Sequence, residues 1–195
     1  DAGWIQAVKD KRVFARVSPL QKMEIVSAMK QAGHFVAVTG DGANDAPALR
    51  MAHIGIAMGG GTDLTKESSS IIIADNNFAS IVAGVEEGRI TYNNLRKIIY
   101  MLLSTGLAEI LTVALAMVFQ LPLPFLAIQL LWLNLVTNGI QDISLAFERS
   151  NKNVLNKPPR SPGEPIFDSL MLTQIALSGL ATTFMCFGVW YYCLN

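Results

Sequence analysis

Across residues 98–147 the chain carries no lysine or arginine and only two acids, Glu109 and Asp142. A stretch this apolar and this nearly free of charge reads as membrane-crossing structure. Residues 98–119 give 22 positions, about 33 Å as helix and enough to cross a bilayer. Gln120-Leu-Pro-Leu-Pro124 is an uncharged turn, residues 125–147 a second span, and residues 170–194 a third. Arg89, Arg96 and Lys97 precede the first span, and Arg149, Lys152, Lys157 and Arg160 lie between the second and third. The positive-inside rule puts both basic segments in the cytosol and the proline turn outside. The expectation is a multi-pass integral membrane protein whose lipid partner is the bilayer.

The polar residues inside these spans form a pattern. A carboxylate near the middle of the first span, Glu109, costs several kcal/mol unless it is paired, protonated or bound to a cation. Thr105, Glu109 and Thr112 share one helical face. Asn134, Thr137, Asn138, Gln141 and Asp142 share a face of the second span. A tight turn makes the spans antiparallel neighbours, with Glu109 and Val136 at similar depth, so the two stripes can form an oxygen-rich cation site. Thr105 or Thr112 alone reads as polar glue between helices. Gly139, at mid-depth after Asn138, marks a place for helix irregularity that would free carbonyls for an ion.

Before the spans the pattern changes. Short apolar runs at residues 13–17, 35–38, 54–58 and 71–74 have strand length and composition, and helical patterns alternate with them. Ser18 before Pro19, with Gln21 at the third helical position, is a capping box that opens a helix over residues 19–31, stopped at Gly33. Alternating strands and helices imply a mostly parallel sheet. The expected fold class is α/β plus membrane all-α: part of a doubly wound parallel sheet followed by three transmembrane helices. The expected division is residues 1–90 for the α/β part and 91–119 for a stalk and first span. Residues 120–147 follow as turn and second span, 148–169 as cytosolic loop and 170–195 as third span.

The α/β part holds the run Thr39-Gly40-Asp41-Gly42-Ala43-Asn44-Asp45-Ala46-Pro47-Ala48-Leu49. It follows an expected strand and precedes an expected helix, which is where open α/β sheets place their chemistry. Gly40 and Gly42 let the backbone approach a ligand closely. Asp41 and Asp45 supply hard oxygens of the kind Mg²⁺ uses beside a phosphate. Net charge is zero, with no basic cluster to support nucleic-acid binding.

This run resembles the hinge motif of P-type cation-pumping ATPases, members of the haloacid-dehalogenase-like phosphotransferases. Val13-Phe-Ala-Arg-Val-Ser-Pro-Leu-Gln-Lys22 resembles the segment carrying that family's phosphate-binding lysine. Ile54-Gly-Ile-Ala-Met-Gly59, Glu86-Glu-Gly-Arg89, Tyr92-Asn-Asn94 and Leu131-Trp-Leu-Asn-Leu-Val-Thr-Asn-Gly139 fit as well. The likeness covers nearly the whole chain and is closest to the type II pumps, which include calcium and sodium/potassium pumps.

The resemblance implies roles. Lys22 would neutralise charge on a phosphoryl group, with Gly40 beside it. Asp41 would bind Mg²⁺ directly, and Asn44 and Asp45 would orient that site, Asp45 from within the metal's surroundings. ATP would be bound mainly by parts that lie outside this sequence, as would the phosphorylated aspartate. The chain, starting at Asp1 without methionine, is then expected to be a C-terminal-half fragment, inactive alone, whose partner is the N-terminal portion of the same pump. Glu109, Asn134, Thr137 and Asn138 fall on positions that resemble ligands of the transported cation. Two departures bear on the ion: calcium pumps usually carry Asp where this chain has Asn138, and Asn where it has Gly106. Asp142, one turn beyond Asn138, is a candidate to compensate. Calcium is favoured, with Na⁺ and H⁺ open. A membrane-tethered regulatory or split-pump module and a membrane-anchored phosphatase are the other readings. The phosphatase needs its own nucleophilic aspartate, and none of Asp1, Asp10 or Asp63 follows a strand-like run.

Overall fold

The computed structural model describes residues 2–149, 154–161 and 163–194. Asp1 and Lys152 lie outside the described residues. The chain divides into two compact units, Asp1–Val85 and Glu86–Asn195.

The first unit is α/β. Its elements are α1 (Ala2–Asp10), α2 (Pro19–Gln31), β1 (Ala37–Gly40), α3 (Ala46–Met51), β2 (Ile54–Met58), α4 (Asp63–Glu67) and β3 (Ile71–Ile73). The strands pair in parallel in the order β1-β2-β3, with Thr39 opposite Ile56 and Ala57 opposite Ile72. α2 has the bounds and start signal expected of it. Ser18 Oγ accepts from Gln21 N–H, and Gln21 Oε1 accepts from Ser18 N–H. Gly33 follows at φ 87°, the left-handed conformation that glycine adopts at helix ends. Val26, Val36 and Ala48 form a buried cluster with Met29, Val38 and Met51 packed against it. Leu49, 2% exposed, contributes about 2 kcal/mol of burial.

Two strand expectations need correction. Residues 13–17 form no strand: Val13 is 82% exposed, and Arg16 sits at φ 53°, which breaks the extended run. The next strand begins two residues late, at Ala37. Phe35 instead stacks on the His53 ring at 4.4 Å, and Val36 N–H donates to His53 Nδ1 at 3.0 Å, so the ladder starts after them.

The second unit is helical, and α5 (Ala79–Val118) enters it from the end of the first. α5 therefore starts twelve residues before the expected Thr91. It and α8 (Ser169–Leu194) are long and apolar enough to cross a membrane, judged by length and composition. The expected second span is not one helix. It runs as α6 (Ala127–Trp132), a π turn (Leu133–Asn138) and α7 (Gly139–Ala146). Its irregularity ends where Gly139 marked it.

α8 packs on α5 through small residues. A Cβ on Gly179 would stand 2.7 Å from Leu107 Cδ2, so backbone and side chain approach as in close membrane packing. Tyr100 Oη and Ser178 Oγ share a hydrogen bond of 2.5 Å. At the start of α8, Asp168 Oδ1 accepts from Met171 N–H at 2.7 Å, and its Oδ2 accepts from Arg96 at 2.6 Å.

That arrangement has a pH consequence. The Arg96 guanidinium, and after it the Met171 N–H, hold the Asp168 carboxyl below its ordinary value of 3.8. A depressed carboxyl pKa stabilises above the unfolded value and loses that contribution as pH falls through the folded one. The link should thus persist through neutral and mildly acid pH. A carboxyl carbon-13 titration is expected to place Asp168 below 3.8, and Arg96→Met is expected to raise it. An unchanged value in the variant would remove Arg96 as the cause.

Candidate functional site

In the first unit, β1 delivers the glycine-aspartate run to the carboxyl end of the sheet. A 3₁₀ turn, Ala43–Asp45, carries the chain from there into α3. It turns Asp45 back toward the strand, where Lys22 of α2 meets it: Lys22 Nζ to Asp45 Oδ1 is 2.5 Å. The closeness explains Gly40, since a Cβ there would stand 2.6 Å from Asp45 Cβ. Asp41 and Asn44 are exposed at the same end of the sheet. The structure thus brings Lys22, Gly40 and Asp45 into contact and leaves the Asp41 carboxylate open to solvent.

A neighbour that the sequence reading missed closes this end. Thr62 N–H donates to Asp41 O at 3.0 Å, and a Cβ on Gly61 would stand 2.9 Å from that same oxygen. Thr62 also caps α4, its Oγ1 accepting from Thr65 N–H. The run Gly59-Gly60-Gly61-Thr62-Asp63 was the available signal: a glycine-rich turn before a capping residue.

The donor chemistry fits Mg²⁺. An open carboxylate lies at the same end of the sheet as a lysine–carboxylate pair, and these groups are hard oxygens or a cation. Among the described residues no group of three or more His, Cys, Asp or Glu gathers as a metal cage. Mg²⁺ needs none, since it uses one or two carboxylates and keeps phosphate oxygens and waters.

In the second unit, Glu109 of α5 reaches across the hairpin. Asn134 Nδ2 donates to Glu109 Oε2 at 3.0 Å, and Asn138 Nδ2 donates to Asn134 Oδ1 at 3.0 Å. Three of the expected residues therefore form one chain of contacts. Asn134 also donates to Leu130 O at 3.0 Å, a side-chain bond one turn back that competes with the backbone where the π turn begins. π turns recur at functional sites because they shift side chains off the α register.

The remaining candidates stand apart. Thr137 is exposed in the π turn, and among the described residues no hydrogen bond joins it or Asp142 to Glu109. Thr105 and Thr112 donate to their own helix, at Met101 O and Ala108 O, so they do not point a hydroxyl into the cluster.

Comparisons with known proteins fall on both units. Residues 23–84 match the family of haloacid dehalogenase-like hydrolases, and residues 122–195 match that of the cation transporting ATPase C-terminus. The cation-transporting ATPase pma1 of Synechocystis is 46% identical over 94% of this chain and 20% of its own length. The calcium-transporting ATPase of Bacillus subtilis is 48% identical over 82% of this chain and 18% of its own. The probable cation-transporting ATPase F of Mycobacterium tuberculosis is 42% identical over 95% of this chain and 20% of its own. The chain spans about a fifth of the length of the curated relatives it matches.

Proposed function

The chain belongs to the P-type cation-transporting ATPase family, and from that premise we propose that it supplies two working parts of an ATP-driven cation pump. One is the Mg²⁺- and phosphate-facing side of an aspartyl-phosphorylation site. The other is an intramembrane cation-binding hairpin. The observation that carries this reading is the contact chain Glu109–Asn134–Asn138 across the hairpin. It puts a carboxylate and two amides together in a stretch with almost no other charge.

In the first unit Asp41 would hold Mg²⁺, and the metal, when bound, would neutralise charge on phosphoryl oxygens. Lys22 offers a second positive charge at the same end of the sheet, held in place by Asp45. Asn44 would orient the site by hydrogen bonding. β1 pairs with β2 alone at one edge of the three-stranded order. That open edge supports a reading in which other parts of the pump, including the phosphorylated aspartate, complete the sheet. The α/β part would then be cytosolic, and the helical part would lie in the bilayer.

Calcium is the favoured ion. The hairpin ligands are hard oxygens, as calcium requires, and the Bacillus subtilis relative is named as a calcium transporter. Asn138 brings an amide and no charge, so affinity should be modest. Equilibrium binding of labelled calcium to the purified intact pump tests this. Saturable binding at micromolar free calcium, lost in excess cold calcium and kept in excess Na⁺, is expected. Displacement by Na⁺ alone would overturn the choice of ion.

A further inference from the structure

The hairpin is pinned at two levels. At one, Asn94 Nδ2 donates to Ala146 O at 3.2 Å and to Glu148 O at 2.8 Å. At the other, Asn134 donates to Glu109. Asp142 stands between them, four residues from Ala146 and eight from Asn134 on the same helical limb of the hairpin. At helical rise that is about 6 Å from the first level and about 12 Å from the second. Asp142 is therefore not at the depth of Glu109.

Its environment is unusual. Asp142 Oδ1 is buried without a hydrogen-bond partner, and so is Asn94 Oδ1. Asn94 is only 2% exposed. Buried oxygens are nearly always satisfied, because leaving one unpaired costs its desolvation. Two such acceptors, one turn apart in level, leave room for a hydrogen-bond donor or a cation. Asn94 and Ala146 also line a cavity of about 520 Å³ whose wall includes Glu87, Thr91 and Glu148. Its charge is moderated: Lys97 pairs with Glu148 at 2.6 Å, and Arg149 lines the same wall. An entrance that attracts weakly suits passage, since a conducting site must also release its ion.

We infer that Asp142 is a relay carboxylate, taking a hard cation from the cavity beside Asn94 and passing it to the Glu109 cluster without being a ligand of that cluster. The inference rests on the proposed cation-binding role of the hairpin. The path runs from the cavity past Asn94 Oδ1 to Asp142 Oδ1, then one turn on to Asn138 and from there to Asn134 and Glu109.

The test uses the intact pump carrying this sequence, with calcium as the probe and two readouts. Asp142→Asn is expected to slow calcium-triggered phosphorylation in rapid mixing about tenfold, the size of a lost steering charge. Labelled calcium occluded at saturation should match the unsubstituted pump. Asp142→Glu, which keeps the charge, should restore the rate to within about twofold. Loss of occluded calcium in Asp142→Asn would make Asp142 a ligand and overturn the relay. An unchanged rate would remove it from the path. If Asp142→Asn does not accumulate, Asp142→Ser is read the same two ways. Glu109→Gln run alongside separates the two ideas: retention of occluded calcium there would sink the hairpin reading itself, whatever Asp142 does.

Discussion

Glu109→Gln in an intact pump is expected to abolish cation-triggered phosphorylation by ATP. The substitution preserves shape, and the amide oxygen of Gln can still accept from Asn134, so the hairpin contact at 3.0 Å has a replacement. What is lost is the charge. Glu109 is half-buried, and a carboxylate at this depth of a membrane span serves a cation as its charged ligand, so its loss is expected to lower cation affinity roughly a hundredfold. Labelled-cation binding and acid-stable phosphoenzyme should fall together. A Glu109→Gln pump that still phosphorylates in response to cation at ordinary concentrations would remove Glu109 from the site.

Asp41→Asn should be nearly as severe at the other end. Asp41 is exposed, and exposed substitutions usually change stability by no more than about 0.5 kcal/mol. The domain should therefore fold. Phosphorylation by ATP should nonetheless drop about a thousandfold, the scale seen when one preorganised charge-stabilising group is removed. If the lost carboxylate acts through the metal, raising Mg²⁺ should recover part of it. Full phosphorylation at ordinary Mg²⁺ would assign the metal elsewhere.

The parts of this molecule that are local in sequence were legible, and those that depend on distant contacts were not. Ser18, Pro19 and Gln21 announce α2 because a capping box is closed within one turn. Residues 54–58 announce β2 because their alternation of small and branched residues suits a buried strand. Residues 13–17 look the same by composition. They form no strand, because strand formation is settled by a neighbour and Arg16 turns the backbone left-handed. Residues 35 and 36 are lost to β1 for a similar reason, a ring stack and a histidine nitrogen supplied from His53.

The site followed the same logic. Spacing placed Glu109 opposite the asparagine stripe, and Gly139 marked the break in the second span. The Lys22–Asp45 pair bridges 23 positions, so only the resemblance to a family pointed to Lys22. Thr137 shared the expected face, yet the π turn displaces it from the contact chain, since a π register no longer follows 3.6-residue spacing. The unpaired oxygens of Asn94 and Asp142 were invisible without the packing that buries them.

The most direct measurement is acid-stable phosphoenzyme formed from labelled ATP by the intact pump, recorded against cation concentration at fixed Mg²⁺. If this chain joins a phosphorylation half-site to a cation-binding hairpin, adding cation switches phosphoenzyme on, and Asp41→Asn and Glu109→Gln each leave it off. A phosphoenzyme level that does not respond to any of calcium, Na⁺ or pH would contradict the account.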